Sequence, residues 1–439
     1  MLEEPGMPRI VVVGGGAGGL ELATRLGDRL GRKKKADVVL VDAHRTHIWK
    51  PLLHQLAAGS YDSHAEEIEY LAQARWHHFR FRQGRLCGLD RANREILLSP
   101  LIDAAGREII PAQRLKYDYL VIAVGSQTND FGTPGVAEHA IRLDSPEAAR
   151  HFHERLIDAC LKAQNMPVAA GQGRMTVAII GAGATGVELA AELHAAAQVL
   201  VSFGLDHIHP ETDLKIVLVE ASTRILAALP ERLSEAAARE LRKLAVEIHS
   251  NERVVEVSEQ GIRMGSGKFI PSTLTVWAAG IKAPDFLANI DGLETNRINQ
   301  LLVDGTLRVT RDDRVFAFGD CAACPAGEGG WVPARAQAAH QQAAILARNI
   351  ERANAGRTLQ PFRFQDYGSL VSLSSYSSVG SLMGSLARGS LFVEGQIAKL
   401  MYWGLHKQHQ IALSGLARTI LITLSEWLDR VHRPRIKLH

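Results

Sequence analysis

The sequence predicts an α/β chain in which one strand, glycine loop and helix unit occurs twice, and three observations carry that prediction. An all-apolar run, Ile10 to Val13, enters Gly14-Gly15-Gly16-Ala17-Gly18-Gly19 and then a helical stretch from Leu20 to Leu30. The same grammar recurs where Val177 to Ile180 enters Gly181-Ala182-Gly183-Ala184-Thr185-Gly186, followed by a helical stretch from Val187 to Val201. Each copy then continues into a second apolar strand that ends on an acid, Val38 to Val41 on Asp42 and Lys215 to Val219 on Glu220. Short all-apolar runs bounded by glycine are the pattern of strands buried on both faces of a parallel sheet. Each half closes on a related strand, Asp118 to Gly125 and Thr273 to Gly280. This is a duplicated domain, not a solenoid repeat.

Composition bounds what such a chain does. At 439 residues it is long enough for about three domains. Hydrophobic content of 46% and charged content of 22% exclude disordered, collagenous and coiled-coil classes. A formal charge of +3 is too balanced for nucleic-acid binding by bulk electrostatics, so no nucleic-acid partner is expected. Four cysteines, Cys87, Cys160, Cys321 and Cys324, are too few for a disulfide scaffold and fit a reducing compartment. The acidic start, Met1 to Pro5, lacks the apolar stretch of a signal peptide. The basic run Arg32 to Lys35 reads as a solvated turn between two elements.

Each glycine loop sits where a dinucleotide needs it. Glycines let the backbone approach a pyrophosphate, the following helix offers free N–H groups and a positive dipole end, and the acid accepts hydrogen bonds from ribose hydroxyls. The acids follow their loops by 28 and 39 residues, more than the usual ~20. The Lys33 hairpin and an inserted loop around Phe203–Asp213 account for the excess. Glycine turns that bind nothing are the alternative, and the double occurrence in the required context disfavours it. The candidate binding residues are therefore Gly14, Gly16, Ala17, Gly18, Gly19 and Asp42 in the first copy, and Gly181, Gly183, Ala184, Thr185, Gly186 and Glu220 in the second. Ala123 and Gly125, and Ala279 and Gly280, end the closing strands beside them. A later strand ends in Gly319-Asp320, and an alanine-rich helix runs from about Pro333 to Ile350.

The duplicated folds and the late aspartate resemble the two-dinucleotide-binding-domain flavoproteins. That resemblance implies two Rossmann-like domains, FAD in the first and a nicotinamide nucleotide in the second, with Asp320 holding the ribityl–phosphate end of the flavin. Glu220 favours NADH because a carboxylate repels a 2′-phosphate, while Arg224, four residues on, leaves NADPH open. Four segments resemble type II NADH dehydrogenase of the proteobacterial form. They are Trp49 to His54, Gly186 to Ala190, Trp277 to Pro284 and Ala336 to Gln342, and the likeness runs from about residue 8 to the end.

The family likeness implies hydride transfer from NADH to FAD, then two electrons to a membrane quinone (ubiquinone or menaquinone), without proton pumping. Glu188, Gln337 and Gln341 are the catalytic candidates. Glu188 is expected in the first turn of its helix, close to nicotinamide and flavin, although a carboxylate there also complements the helix dipole. Gln337 and Gln341 lie i, i+4 on one helix face, which in the family lines the quinone pocket; two such glutamines are otherwise plain solvated surface. Ala336 and Gln337 are further FAD candidates, at the helix end aimed at the flavin ring. Lys50 and Pro51 read as a flavin-side clamp, against the alternative of a snorkelling surface lysine. No metal is expected. Cys321 and Cys324 lack a second soft pair, and His44, His47, His54, His77 and His78 lack ligand spacing.

The tail carries a stripe, Leu413, Leu416, Ala417, Ile420, Leu421, Leu424, Trp427, Leu428 and Val431, followed by Arg430, Arg433, Arg435 and Lys437. Read as one helix of about five turns, it is an amphipathic anchor that lies on an anionic lipid surface, or else a core helix docked on the body. Tyr367 to Ala387 is uncharged but too rich in serine and glycine to span a bilayer. The expected organisation is an FAD-binding domain over 1–165 and 296–360, an NADH-binding domain over 166–295, and a membrane-association region over 361–439. The enzyme is expected peripherally on the cytoplasmic face of the cell inner membrane, with a homodimer left open. The rival readings are a sulfide:quinone reductase, a soluble diaphorase and a non-catalytic FAD-containing NADH sensor.

Overall fold

The computed structural model describes residues 6–61, 66–103, 105–165, 175–202, 213–327, 329–374, 376–384 and 387–429. Its principal elements begin with β1 (Arg9–Val13), α1 (Ala17–Leu26), β2 (Asp37–Asp42), α2 (Leu53–Ala58), α3 (Tyr70–Trp76), β3 (Arg80–Gln83) and β4 (Tyr119–Ile122). Then come β5 (Ile141–Arg142), α4 (Pro146–Asn165), β6 (Met175–Ile180), α5 (Ala184–Ser202), β7 (Leu214–Glu220), β8 (Glu247–Ser250) and β9 (Leu274–Trp277). The chain continues through β10 (Val315–Ala317), α6 (Ala336–Asn354), β11 (Gly368–Leu373), β12 (Ser377–Gly384), β13 (Ala387–Glu394), α7 (Gly395–Ser414) and α8 (Leu416–Asp429).

These elements form two units, each assembled from three stretches of chain. The first comprises Met1–Trp49, Glu67–Gln127 and Ile281–Gln365, the second Lys50–Glu66, Thr128–Gly280 and Asp366–His439. Residues 50–66 and 128–165 thus group with the second glycine loop, whereas the sequence division put them with the first.

In the first unit a parallel sheet runs in the order β10-β4-β1-β2-β3. Its central residues are almost wholly buried: Ile10 to Val12, Leu120 to Ile122 and Val315 to Ala317 are all at 0% exposure. The unbroken apolar runs of the sequence have this cause, since consecutive residues point to opposite faces and both are buried. The α1 helix packs on α6. It starts at Ala17, three residues before the sequence reading, and widens into one π-turn over Gly27–Gly31.

The second unit repeats the plan with a parallel sheet in the order β5-β9-β6-β7-β8. In both units the glycine-loop strand lies between the closing strand and the acid-bearing strand. Val136, Ala178, Ile180, Val217, Val219, Ile262 and Trp277 belong to one core cluster of this unit. The inserted loop expected around Phe203–Asp213 lies, apart from Asp213, outside the described residues.

The serine- and glycine-rich segment forms neither a span nor a loop. It supplies β11 and β12 of a three-stranded antiparallel sheet in the order β11-β12-β13. Behind it the expected single five-turn helix is two helices, broken at Gly415, whose φ of +77° is the left-handed conformation that ends helices. Leu413 belongs to the core at 0% exposure, so it is not part of the outward stripe. Arg430, Val431, Arg433, Arg435 and Lys437 lie outside the described residues.

Candidate active site in two glycine loops and a buried carboxylate

In both loops the first and last glycines are tied to each other. A Cβ on Gly19 would stand 1.8 Å from the Gly14 carbonyl oxygen, and one on Gly186 would stand 2.0 Å from that of Gly181. Neither position tolerates a side chain. Gly14 (φ +102°) and Gly181 (φ +101°) also press on the closing strand, against Ala123 and Ala279 respectively. The middle glycines differ. Gly16 and Gly183 face nothing within 4 Å, so glycine there leaves room for a group approaching the loop and not for the protein's own packing.

The acids complete each loop. Asp42 Oδ2 accepts the Gly15 N–H at 2.6 Å and Oδ1 accepts the His44 N–H at 2.8 Å. Burial acts to raise the Asp42 pKa, but hydrogen bonds from His44 and Gly15 outweigh it and hold the carboxylate below its ordinary range. Glu220 accepts from Ala182 N–H at 2.7 Å and from Ser222 N–H at 2.8 Å. Arg224, which had left NADPH open, donates to the carbonyls of Leu226 at 3.3 Å and Ala227 at 3.0 Å, bracing its own loop.

The rest of the first unit fits FAD. Helices α1 and α6 have no side-chain cap and no acid in the first turn, leaving their N-termini suited to anionic groups. Asp320 accepts from Ser126 Oγ at 2.9 Å beside Gly319, which has φ +73°. Gly125 ends the closing strand with φ +72°. Ala336 opens α6, which runs Ala336–Asn354 and not Pro333 to Ile350. Gln337 follows it, and its Oε1 is buried with no partner among the described residues, an acceptor that fits a hydrogen-bond donor of a cofactor. Gln341 is different: its Nε2 donates to the Gln365 carbonyl at 2.7 Å and its Oε1 accepts the Gln365 N–H at 3.0 Å. The two glutamines share a face but not an environment.

The second unit buries an acid cluster. Glu188 lies beyond the first turn of α5, not in it, and is 6% exposed. Its Oε1 accepts the Ser372 N–H of β11 at 3.0 Å, and its Oε2 is 3.4 Å from His54 Nδ1 of α2. Burial pushes Glu188 up to about 8, against the Ser372 hydrogen bond and with help from Glu192. Burial also pushes His54 down to about 4, so the pair is uncharged at neutral pH. One turn on, Glu192 Oε1 accepts from Ser60 Oγ at 2.5 Å. Desolvation and both carboxylates hold the Tyr402 phenol well above its ordinary pKa. His54, Ser60, Glu192, Ser372 and Tyr402 were not singled out as partners of Glu188 in the sequence. The i, i+4 spacing of Glu188 and Glu192 was the one signal for any of them. Lys50 and Pro51 open the short 3-10 turn before α2, at the start of a stretch grouped with this unit. Ala279 abuts Gly181 in the same unit, and Gly280 (φ +63°) abuts Phe131.

Residues 8–343 match the family model of pyridine nucleotide-disulphide oxidoreductases. The chain is 43% identical to a type II NADH:quinone oxidoreductase of Haemophilus influenzae, over 99% of this chain and 100% of the relative. It belongs to this family. A second type II NADH:quinone oxidoreductase, from Mycobacterium tuberculosis, is 29% identical over 97% of this chain and 88% of its own length. The solved structure of NDH2 from Plasmodium falciparum in complex with NADH shares the fold. It has a TM-score of 0.81 at 19% identity and covers 98% of this chain and 100% of that one.

All four cysteines of this type II NADH:quinone oxidoreductase are free thiols. Cys321 and Cys324 are free, buried thiols that burial pushes up to about 12 and about 11. No group of metal-ligating side chains occurs among the described residues. No described helix is long and apolar enough to cross a membrane. On α8, Leu416, Ile420, Leu421, Leu424 and Leu428 are all exposed, between 51% and 67%.

Proposed function

We propose that this NADH:quinone oxidoreductase holds FAD on the first glycine loop and NADH on the second, and works from the surface of a membrane. The observation that carries the assignment is the pair of middle glycines, Gly16 and Gly183, each facing open space just ahead of a helix. In the first unit the Gly16 and Ala17 end of α1 receives the pyrophosphate, and Asp42 receives the ribose. Asp320 and Gln337 take the polar remainder of the cofactor. In the second, Gly183, Ala184 and Thr185 receive the NADH pyrophosphate and Glu220 the adenosine ribose.

When bound, the flavin supplies the redox chemistry, taking a hydride from NADH and passing two electrons to quinone. The protein's own residues bind, orient and manage the proton. Reduction of quinone by NADH consumes one proton from the medium. Glu188 carries one at neutral pH, because its buried carboxyl is held up at about 8. Ser372 and His54 fix that carboxyl in place.

The exposed apolar row of α8 is read as the lipid-facing surface, since rows of this size on a soluble face mark an interaction site. A quinone is dissolved in the bilayer, which gives the row its occupant. The cytoplasmic face of the inner membrane follows from the side on which NADH is made.

Purified protein tests the assignment. It should be yellow, bleach anaerobically with NADH, and sustain NADH oxidation with added quinone. An NADH sensor would stop after one reduction, and a colourless folded preparation would refute the flavin reading.

A further inference from the structure

The Gly15 peptide is held on both sides. Its N–H donates to Asp42, and its carbonyl accepts from Tyr70 Oη at 2.9 Å and from His47 Nδ1 at 2.9 Å. A carbonyl has no hydrogen to give, so His47 carries its proton on Nδ1. Burial pushes His47 down to about 4, opposed by the Gly15 carbonyl and Asp42, and the ring is neutral at physiological pH. His47 is 2% and Tyr70 3% exposed. The Tyr70 ring packs against Phe81, tilted by 31° with centroids 5.0 Å apart. A Cβ on Gly15 would stand 2.4 Å from the Tyr70 hydroxyl. Position 15 is a free position of the G-x-G-x-x-G pattern, so its glycine answers to Tyr70 and not to a phosphate.

The second loop meets the same need with less. Ala182 stands in the position of Gly15, donates to Glu220 at 2.7 Å, and has its carbonyl bound by the Leu226 N–H at 2.8 Å. One backbone donor replaces two buried side chains.

We propose that His47 and Tyr70 are positioning residues for FAD. By fixing the Gly15 peptide they hold the loop in its receiving shape and set how slowly FAD leaves. The singly braced second loop serves a nucleotide that exchanges at every turnover. The proposal rests on the reading that the first loop holds FAD.

The test compares holoenzyme of the wild type with Tyr70→Phe, His47→Leu and His47→Asn, whose amide retains an N–H donor. FAD release is followed by the gain of flavin fluorescence on dilution, alongside the KM for NADH and the melting temperature. Tyr70→Phe and His47→Leu should each release FAD about tenfold faster, the scale of one lost buried hydrogen bond. His47→Asn should stay near the wild type, and the KM for NADH should not move. Unchanged release in both Tyr70→Phe and His47→Leu overturns the proposal, as does His47→Asn releasing as fast as His47→Leu. A raised KM for NADH with unchanged FAD release overturns the underlying loop assignment instead. Tyr70→Phe removes a single oxygen, so it decides the matter alone if His47→Leu does not fold.

Discussion

The backbone N–H of Ser372 donates to Glu188 Oε1 at 3.0 Å, joining the second glycine-loop helix to the first strand of the C-terminal sheet. Burial outweighs that contact, which favours the charged form, and the carboxyl is held up at about 8. An unfolded glutamate titrates near pH 4.3. Between these values the folded chain keeps a proton that the unfolded chain has lost. The stabilising contribution of Glu188 is therefore complete below pH ~4.3 and declines as pH rises toward 8, by up to ~1.4 kcal/mol per pH unit. Glu188→Gln abolishes this slope. Its melting temperature relative to wild type should climb from pH 5 to pH 9, and a gap that is flat with pH would contradict the assignment.

Nucleotide choice should turn on Glu220. Glu220→Ala should relax discrimination against NADPH by about 1–3 kcal/mol in kcat/KM, the scale of a charge-assisted contact. Steady-state kinetics with both nucleotides decide it. A wild type that already uses NADPH as well as NADH would remove the basis for this role.

Gln337 and Gln341 should separate in function. Gln337→Ala should release FAD faster with the melting temperature of the flavin-free protein nearly unchanged, as flavin fluorescence on dilution would show. Gln341→Ala should instead cost about 1–2 kcal/mol of stability, because it leaves both main-chain groups of Gln365 without that side chain. Equal effects of the two substitutions on either readout would argue against the division.

The C-terminal helices should show a similar split. Lys407 is 6% exposed and its Nζ lies 2.6 Å from Glu426 Oε2, a pair that links α7 to α8. Lys407→Met should lower stability by about 3 kcal/mol, the low end for breaking a buried ion pair. Replacing the exposed Leu416, Ile420 and Leu424 together by serine should leave the melting temperature nearly unchanged and cut sedimentation with anionic vesicles more than tenfold. Half-burying three such side chains in lipid is worth roughly 2–4 kcal/mol. Undiminished vesicle binding would show that α8 does not face the lipid.

The sequence displayed what local pattern encodes. Gly14 to Gly19 and Gly181 to Gly186, the acids Asp42 and Glu220, and the buried strands between them are all short-range signals. Contacts across long separations had no such signature. Local pattern makes Glu188 a helix-dipole complement and the family likeness puts it near nicotinamide and flavin, but neither shows Ser372 and His54 folded around it. Gln341 reads as one of a matched pair until Gln365 takes its amide. The break at Gly415 was within reach, since a glycine after Ser414 is a common helix stop, but the hydrophobic period of the tail runs straight across it. The clamp on Gly15 was hidden because His47 and Tyr70 lie on different elements, 23 residues apart in the sequence.

The strand that finishes the first sheet is made late. β10 pairs with β4 through Ala317 and Ile122, yet the ribosome must build most of the second unit between them. At 5–20 residues per second that interval is about 10–40 s. Throughout it β4, apolar along its whole length, offers an unpaired edge of the kind that recruits other strands. A nascent chain stalled in this window is a candidate for aggregation or for chaperone capture. No single stretch of the gene encodes either unit, so neither can be expressed by trimming the ends.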